Sequence, residues 1–208
     1  MKNVVENYGW TTSKAPHSCG YIVPEVLNIL SNLKVHRVCD LGSGNGALAY
    51  SLNEAGYYSA GVEHDQDGVS ISRKNYPNIN FYNYGVQDSP EFILKNEPLF
   101  DAVVSTEVIE HLFSPHLLPQ FASKILRKGG YLVISTPYHG YLKNLALSVF
   151  NKWDKHHAAL WHGGHIKFYS QKTLSQLLQE NGFDVLGFSG AGRIPFLWKS
   201  MILVAKAV

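Results

Sequence analysis

Two carboxylates and an imidazole fall within five positions of the stretch STEVIEHLFSP, which runs from Ser105 to Pro115. They are Glu107, Glu110 and His111, and they follow the apolar run FDAVVS, a pattern typical of a buried strand. Such a group at the end of a strand costs stability unless a ligand or a transferable proton uses it. Because Glu107 is followed by Glu110 at i+3 and by His111 at i+4, the spacing predicts a helix that carries all three on one face.

Two kinds of chemistry fit this predicted face. His111 and Glu107 are candidate catalytic residues, with His111 as a general base that takes a proton from a hydroxyl group. Alternatively, the three side chains bind a divalent cation (magnesium, manganese or zinc), which lowers the pKa of a coordinated hydroxyl. A second histidine group, in ALWHGGHIKFYS, supports the cation, because it offers His162 and His165 between glycines that let the loop fold inward. The third interpretation is structural, with His111 as a helix cap; His139 is a second candidate base.

A glycine loop, VCDLGSGNGA, follows the first predicted strand. Gly42, Gly44 and Gly46 allow the backbone to turn sharply and to approach a ligand closely, and Ser43 lies between the first two. The spacing also satisfies the fingerprint of dinucleotide-binding proteins, so a NAD-dependent oxidoreductase is one alternative. Asp40 argues against it, because a pyrophosphate would face a like charge at close range, whereas an ammonium or a sulfonium would be attracted. S-adenosylmethionine carries both cations, and we expect it to be the cofactor.

Further acidic residues follow the next two predicted strands. Glu63 ends the second strand and can accept hydrogen bonds from both ribose hydroxyls, with His64 beside it. Asp88, in GVQDSP after the third strand, can accept a hydrogen bond from an adenine amino group, and Gln87 is its neighbour. Together with Asp40, these residues predict a nucleoside-binding cleft at the carboxyl ends of the strands.

Predicted apolar strands and amphipathic helices alternate along the chain, and these elements must position the candidate site residues. The lengths suit parallel crossovers, which predicts a doubly wound α/β sheet with helices on both faces. The predicted strands are 35–41, 58–65, 79–84, 99–106, 131–137, 183–190 and 200–208. The predicted helices are 20–33, 46–55, 68–75, 115–127, 142–153 and 171–181.

The motif DLGSGNG at 40–46, together with Glu63, Asp88 and the block FDAVVSTEVIEHL, resembles class I S-adenosylmethionine-dependent methyltransferases. The resemblance covers residues 20–136 and, in pattern, the last two strands. It implies a Rossmann-like sheet of seven strands, mostly parallel with a reversed last strand. It also implies that the three glycines of the loop line the methionine end of the cofactor, that Glu63 holds the ribose and that Asp88 holds the adenine.

The Glu-x-x-Glu-His motif followed by a later histidine resembles the metal-binding constellation of ubiquinone-biosynthesis O-methyltransferases. It is also similar to that of small-RNA 3′-terminal 2′-O-methyltransferases. The ligand set that this resemblance implies is Glu107, Glu110, His111 and His165. The segment TPYHGYLKNLALSVFNKWDKHHAALWHGG departs from the quinone family, so the resemblance assigns no contact with the methyl acceptor.

Residues 138–167 are longer than a plain connection between a strand and a helix requires, and they are interpreted as an insertion or lid. Within them, 142–153 follows an amphipathic pattern, which predicts one helix that packs against the domain, covers the substrate or contacts a lipid surface. Lys143, Lys152 and Lys155 are placed on its polar side, where they suit anionic headgroups.

An aromatic N-terminal arm, residues 1–19, precedes the first predicted helix and includes Tyr8 and Trp10. It is too short for a core of its own. Two interpretations fit it equally: a hydrophobic strap that closes the sheet, or a cover over the cofactor. In the second case an aromatic ring gains cation–π attraction to the sulfonium.

Composition limits the classes of partner. The 208 residues suit one domain, 1–208, and 45% hydrophobic residues indicate a globular chain. A formal net charge of +2 provides no broad attraction to phosphate backbones, so we expect a small-molecule acceptor and no nucleic acid. An RNA 2′-O-methyltransferase is the alternative. The two cysteines indicate no disulfide framework and the N-terminus lacks an apolar targeting region, which fits a cytoplasmic protein.

Overall fold

The computed structural model describes residues 8–157, 160, 161 and 163–208, without the Lys155 side chain. Its strands are β1 (Arg37–Leu41), β2 (Tyr58–Glu63), β3 (Asn80–Asn83), β4 (Phe100–Thr106), β5 (Leu126–Pro137), β6 (Phe183–Ala191) and β7 (Ser200–Ala207). Within these residues they form one sheet of seven strands in the order β3-β2-β1-β4-β5-β7-β6. The first five strands are parallel, and β7 is antiparallel to both of its neighbours. The predicted Rossmann-like sheet with a reversed last strand is confirmed.

The helices alternate with these strands. They are α1 (Cys19–Leu33), α2 (Ala47–Glu54), α3 (Gln66–Asn75), α4 (Glu91–Asn96), α5 (Leu117–Ile125), α6 (Tyr141–Val149), α7 (Trp153–His157) and α8 (Gln171–Glu180), and a 3₁₀ helix, Ile109–His111, follows β4. The sequence prediction lacks α4, because six residues are too few for a helical period to be recognised. Among the described residues, no helix is both long and apolar enough to cross a membrane.

Two predicted helices differ from the structure. The single helix predicted over 142–153 is wrong, because α6 ends at Val149 and Asn151 has a left-handed φ of 49°. An α-helix cannot continue through that conformation, so a separate helix begins at Trp153. The helix predicted over 115–127 is shorter than expected, because Leu126 already pairs with Phe100 as the first residue of β5.

The sheet separates two apolar cores, one on each face. Alternate residues of a strand point to opposite faces, and in β1 Cys39 and Leu41 belong to one core while Val38 belongs to the other. Helices α4, α5 and α8 cover the first face, and α1 and α2 cover the second. This doubly wound arrangement leaves the carboxyl ends of the parallel strands open between the two layers, where ligands bind in such sheets.

The apolar side of α6 belongs to neither core. Leu142, Leu145 and Val149 are exposed, whereas Lys143 is only 5% exposed. The predicted placement of Lys143 on a solvated polar side is therefore wrong. Its ammonium Nζ donates a hydrogen bond to the Lys199 backbone carbonyl (3.2 Å), which provides the interior partner that a buried lysine requires.

Candidate active site

A cavity of about 550 Å³ opens at the carboxyl ends of the parallel strands. The loops after β1, β2, β3 and β4 form its floor, and the N-terminal arm and the lid segment contribute the remaining walls. The sequence-predicted site residues that line it are Asp40, Gly42, Ser43, Gly44, Glu63, His64, Glu107, His111 and His165. Three others, Gly46, Asp88 and Glu110, are not part of its lining.

Two glycines of the loop after β1 lie where a side chain would not fit. Gly42 has a φ of +87°, and a Cβ there would lie 2.4 Å from a methyl group of Val108. Gly44 has a φ of +52°, and a Cβ there would lie 2.5 Å from the indole ring of Trp10. The Gly42 backbone N–H donates to the Val62 carbonyl oxygen (2.8 Å), which fixes the loop to β2. Close approach on both sides explains why the loop requires glycine at these positions.

Gly46 has a different position from the other two glycines. It caps the N-terminus of α2 with a φ of +83°, and a Cβ there would lie 2.9 Å from Phe81 and 3.0 Å from Ser72. Gly46 therefore allows α2 to pack closely against β3 and α3. Gly46 is not itself in the cavity lining, although Asn45 and Ala47 on either side of it are, so its implied place at the methionine end of a cofactor stays a prediction.

Asp40 is a buried carboxylate that no described residue pairs with. It is 1% exposed, and neither oxygen has a partner of hydrogen-bond geometry among those residues, although the Ala49 backbone N–H favours its charged form. Burial, followed by the nearby charge of Glu63, raises the pKa of Asp40 to about 8. A buried unpaired carboxylate is costly, so the free energy of this site improves when a cation enters the cavity.

Glu63 is held rigidly at the end of β2. One oxygen, Oε2, accepts a hydrogen bond from the Gly44 N–H, and the other, Oε1, accepts one from the Asp65 N–H, both at 2.7 Å. Burial raises the pKa of this carboxyl, and the two backbone donors oppose that effect. Each carboxylate oxygen has a second lone pair, so Glu63 can still accept hydrogen bonds from a diol in the cavity.

The loop after β3 presents different residues from those predicted. The Asp88 carboxylate turns back on its own loop, where Oδ2 accepts the Gly85 N–H at 2.7 Å. The cavity is lined instead by the four residues that precede Asp88, namely Tyr84, Gly85, Val86 and Gln87. The expected adenine contact of Asp88 therefore does not agree with where its carboxylate lies.

The predicted helical face after β4 is wrong. Only Ile109–His111 is helical, and Glu107 before it has a left-handed φ of +55°. Glu107 Oε1 accepts a hydrogen bond from Ser135 Oγ (2.8 Å), whereas Glu110 Oε2 accepts one from Thr136 Oγ1 (3.1 Å). The two glutamates thus have different partners at successive positions of β5, and they still interact: after burial, the nearby charge of Glu107 contributes to raising the pKa of Glu110.

Glu110, His111 and His165 do come together. One ligand atom from each lies within 4.8 Å of the other two. The Ile166 and Lys167 backbone N–H groups donate to the Glu110 carbonyl oxygen (2.9 and 3.0 Å), which fixes the His165 segment beside the 3₁₀ helix. Three of the four ligands implied by the resemblance are thus adjacent, while Glu107 lies outside this group. The alternative ligand His162 lies outside the described residues.

The protonation states of these three residues allow them either to bind a cation or to accept a proton. Burial lowers the pKa of His111 and lowers that of His165 to about 4, so both imidazoles are neutral. The His111 Nδ1 lies 3.2 Å from the Gly164 carbonyl oxygen, which makes Nδ1 the donor and leaves Nε2 with a lone pair. Within the described part of the chain, Glu110 Oε1 and His165 Nδ1 are buried without partners, and burial raises the pKa of Glu110 well above its ordinary value.

The arm and the lid meet above this trio. The Tyr8 ring lies 5.7 Å from that of His111, and the Trp161 ring lies 6.0 Å from it on the lid side. The Tyr8 backbone N–H donates to Asp65 Oδ2 (2.6 Å), and Asn45 Nδ2 donates to two arm carbonyls, at residues 12 and 14. The arm is therefore attached to the glycine loop and covers part of the cavity.

The lid also supplies a buried cation that the sequence interpretation missed. Burial lowers the pKa of Lys143 to about 8; the Arg193 charge lowers it further, and Glu107 raises it. In return, the Lys143 charge opposes the burial that raises the pKa of Glu107 to about 7. Ser135 and Thr136 were also missed, although two small polar residues at the end of YLVISTP are a signal for them.

Comparisons with known proteins agree with this geometry. A family model described as a methyltransferase domain matches residues 14–187. The mitochondrial ubiquinone biosynthesis O-methyltransferase of Rattus norvegicus is 28% identical over 166 residues, which are 77% of this chain and 48% of that protein. The ubiquinone biosynthesis O-methyltransferase of Coxiella burnetii (strain Dugway 5J108-111) is 27% identical over 167 residues, 76% of this chain and 68% of that protein. The chain thus spans about half the length of the rat relative.

Solved structures give the same fold. The magnesium protoporphyrin IX methyltransferase from Synechocystis PCC 6803 with bound SAH aligns with a TM-score of 0.66 at 20% identity, over 90% of this chain and 82% of that one. A SAM-dependent methyltransferase from Archaeoglobus fulgidus aligns with a TM-score of 0.62 at 18% identity, over 89% and 92%. The family match favours a methyl donor over a dinucleotide at the glycine loop: the chain belongs to the methyltransferase-domain family.

Proposed function

We propose that this enzyme transfers the methyl group of S-adenosylmethionine to a hydroxyl oxygen of a small-molecule acceptor, and that Glu110, His111 and His165 hold a divalent cation. The observation that carries the proposal is the trio itself: His111 and His165 line the cavity, and Glu110 Oε1 and His165 Nδ1 are buried with no partner among the described residues. The names of the rat and Coxiella relatives, both O-methyltransferases, support the choice of oxygen.

The cofactor half of the cavity suits a cationic nucleoside. Asp40 attracts the ammonium and the sulfonium, and Glu63 accepts hydrogen bonds from the ribose hydroxyls. The backbone at Gly42 and Gly44 allows the methionine portion to lie against the loop. These three contacts orient the methyl group toward the end of β4, where Glu107 lies.

The acceptor half suits a small planar molecule. Tyr8, Trp161 and His165 line the cavity on the side of the arm and the lid. Aromatic walls of this kind favour a flat ring, because offset and edge-on contacts bury apolar area while a polar substituent stays hydrogen-bonded. One cavity of about 550 Å³ must hold both cofactor and acceptor, which limits the acceptor size.

The trio fits a divalent cation by its chemistry. One carboxylate and two neutral imidazoles are a usual donor set for manganese, zinc or iron, and they also accept magnesium less strongly. Thr136 and the Gly164 carbonyl orient Glu110 and His111 from behind, as supporting groups of metal sites do. When bound, the cation would lower the pKa of the acceptor hydroxyl and fix its position. Glu107, with a pKa near neutrality, is placed to accept the released proton on a carboxylate oxygen.

A chelation experiment tests this function. The enzyme would be treated with EDTA, dialysed, and supplied with manganese, magnesium or zinc, while S-adenosylhomocysteine formation with simple phenols and the melting temperature are measured. We expect a cation to restore activity and to raise the melting temperature of the native enzyme but not of Glu110→Gln. Glu91→Gln, an exposed change in the first turn of α4, is the matched control. A response that is absent from both measurements would leave His111 Nε2 as a metal-free base.

We also propose that α6 contacts a lipid surface when the enzyme acts. Its exposed apolar side chains are Tyr141, Leu142, Leu145 and Val149, followed by Phe150. Lys152 is exposed beside them, whereas Lys143 is buried and cannot contact a headgroup. Flotation with neutral and anionic vesicles is the test, because Leu145→Asp should reduce binding to both. Equal flotation of the native and variant proteins would contradict the proposal.

A further inference from the structure

The base of the cofactor must lie at the β3 end of the cavity. The lining runs from Glu107 after β4, across the glycine loop after β1 and Glu63 after β2, to Gly85 after β3. The methyl group must reach the acceptor beside β4, and Glu63 lies midway along this path. The far end of the nucleoside therefore faces the loop at 84–87.

Asp88 is not available at that end. Its Oδ2 accepts the Gly85 N–H at 2.7 Å, and the side chain does not line the cavity. The Asp88 backbone N–H also donates a hydrogen bond to the Gly85 carbonyl oxygen (3.0 Å), so the residue closes a tight turn. The carboxylate thus stabilises its own loop and does not line the cavity.

Gln87 occupies a defined position instead. Its side-chain amide lies over Gly85, so closely that a Cβ at Gly85 would be 2.3 Å from both the Nε2 and the Oε1 atoms. The Nε2 atom lies 3.4 Å from His64 Nδ1 across the mouth of the cavity. Both Gln87 and His64 line the cavity. When Nε2 faces His64, Oε1 is the atom left to accept a hydrogen bond from a ligand.

We propose that the Gln87 amide oxygen, and not the Asp88 carboxylate, accepts a hydrogen bond from the amino group of adenine, and that His64 fixes the orientation of that amide. An oxygen acceptor at this point matches the exocyclic N6 amino group, which is a donor. It disfavours a 6-oxo purine, which presents an oxygen there. His64 acts as a positioning residue, because without it the amide can rotate and offer Nε2 to a 6-oxo base.

Titration calorimetry with two probes tests the inference. S-adenosylhomocysteine carries the amino group, and S-inosylhomocysteine carries an oxygen in its place. We expect the native enzyme to bind the first probe at least about tenfold more tightly than the second. The amino group forms a hydrogen bond with Oε1, whereas the oxygen of the second probe is repelled by it. Gln87→Leu should reduce this ratio to near one, because it removes both the hydrogen bond to the adenine probe and the oxygen–oxygen repulsion with the inosine probe.

Two further variants distinguish the hydrogen bond made by Gln87 from the effect of His64 on the orientation of the Gln87 amide. His64→Ala should lower the ratio mainly by strengthening the inosine probe, because the amide is then free to turn. Gly85→Ala should resemble Gln87→Leu, since the new methyl group displaces the amide; the φ of Gly85 is not left-handed, so an alanine backbone can adopt it. Melting curves of each variant would establish that it is folded.

Asp88→Asn is the matched control, because an asparagine oxygen can still accept the Gly85 N–H. An unchanged ratio in this variant supports the inference. The inference is overturned if Asp88→Asn removes the discrimination, or if Gln87→Leu and Gly85→Ala both leave the ratio as it is. The inference rests on the nucleoside cofactor alone, so the acceptor and cation proposals can fail without affecting it. A folded native enzyme that binds neither probe would contradict the cofactor assignment itself.

Discussion

The cofactor half and the lid half of the cavity are held together by different interactions. In the cofactor half, backbone N–H groups and short loops fix the ligand-facing atoms, as at Glu63, whose two oxygens each accept a backbone N–H at 2.7 Å. In the lid half, side chains contact side chains, and several buried polar atoms have no partner among the described residues, including Asn144 Oδ1, His156 Nε2 and His157 Nδ1. The first half is thus fixed mainly by backbone hydrogen bonds, and we expect the second half to gain contacts when an acceptor binds.

The largest effect is expected at Asp40, where the cofactor half has a buried carboxylate that no described residue pairs with. Asp40→Asn should abolish measurable cofactor binding, because the attraction to the ammonium and sulfonium is lost. The same change should stabilise the enzyme without cofactor at neutral pH. A carboxyl whose pKa is raised to about 8 in the folded state binds more protons than the unfolded chain between about pH 4 and pH 8. The native free energy of unfolding therefore falls with rising pH in this window.

Urea titrations at pH 5 and pH 8 would measure this contribution. The gain from Asp40→Asn should be about 1–3 kcal/mol at pH 8 and smaller at pH 5, since each unit of pKa shift corresponds to about 1.4 kcal/mol. The matched control is Asp184→Asn on the exposed part of β6. A variant that is less stable than the native enzyme at pH 8 would show that the Asp40 carboxylate has a partner of its own.

Gly44→Ala should have the next largest effect. The new methyl group meets a positive φ and the Trp10 ring, so it should destabilise the enzyme by about 1–3 kcal/mol and weaken binding of S-adenosylhomocysteine. Gly56→Ala separates the two causes, because Gly56 has a φ of +90° but no atom within 4 Å of the new methyl group. Equal losses in both variants, by thermal melting and calorimetry, would mean that the arm contact contributes nothing.

Lys143→Met tests the lid half. Because the Lys143 charge lowers the pKa of Glu107, its removal should raise that pKa and move the acidic limb of the kcat profile to higher pH. The binding of S-adenosylhomocysteine should change by less than about threefold, since Lys143 does not line the cofactor cavity. Lys152→Met, on an exposed side chain, is the control. A pH profile that does not move would separate Lys143 from the chemistry of Glu107.

The smallest effect is expected on the outer surface of the lid. Leu145→Ala should change the free energy of unfolding by less than about 0.5 kcal/mol, because this side chain is 47% exposed. Leu174→Ala, at a fully buried position of α8, should cost about 2–5 kcal/mol. Chemical denaturation of both variants measures the difference. A large loss at Leu145 would mean that α6 packs against a further surface of the protein.

The same contrast explains what the sequence could predict. Asp40, Gly42 and Glu63 follow directly from short motifs at the ends of strands, since the pleat and the parallel order place such residues at one edge of the sheet. The direction of Glu107 does not follow from its spacing, because a left-handed φ and the bond to Ser135 on the neighbouring strand β5 decide it. A helical period cannot reveal either feature.

The lid shows a second limit of sequence interpretation. The apolar period over 142–153 predicts one helix, but a left-handed residue at Asn151 divides it. The period also places Lys143 on a solvated side, whereas a carbonyl on the loop before β7 draws its ammonium inward. Asp88 and Gln87 show a third limit. The sequence does not reveal which of two adjacent polar residues bonds to the backbone of its own turn, as Asp88 does.

The two hydrogen bonds from Asn45 to the arm, at 2.9 Å each, have a kinetic consequence. Because Trp10 lies against Gly44 and Tyr8 reaches the lid, a nucleoside beneath them can leave only after the arm detaches from the glycine loop. We therefore expect an ordered reaction, in which the donor enters first and its demethylated product departs last. Product-inhibition patterns should show S-adenosylhomocysteine competing with S-adenosylmethionine while the methylated acceptor does not, and Asn45→Ala should accelerate turnover wherever departure is the slow step.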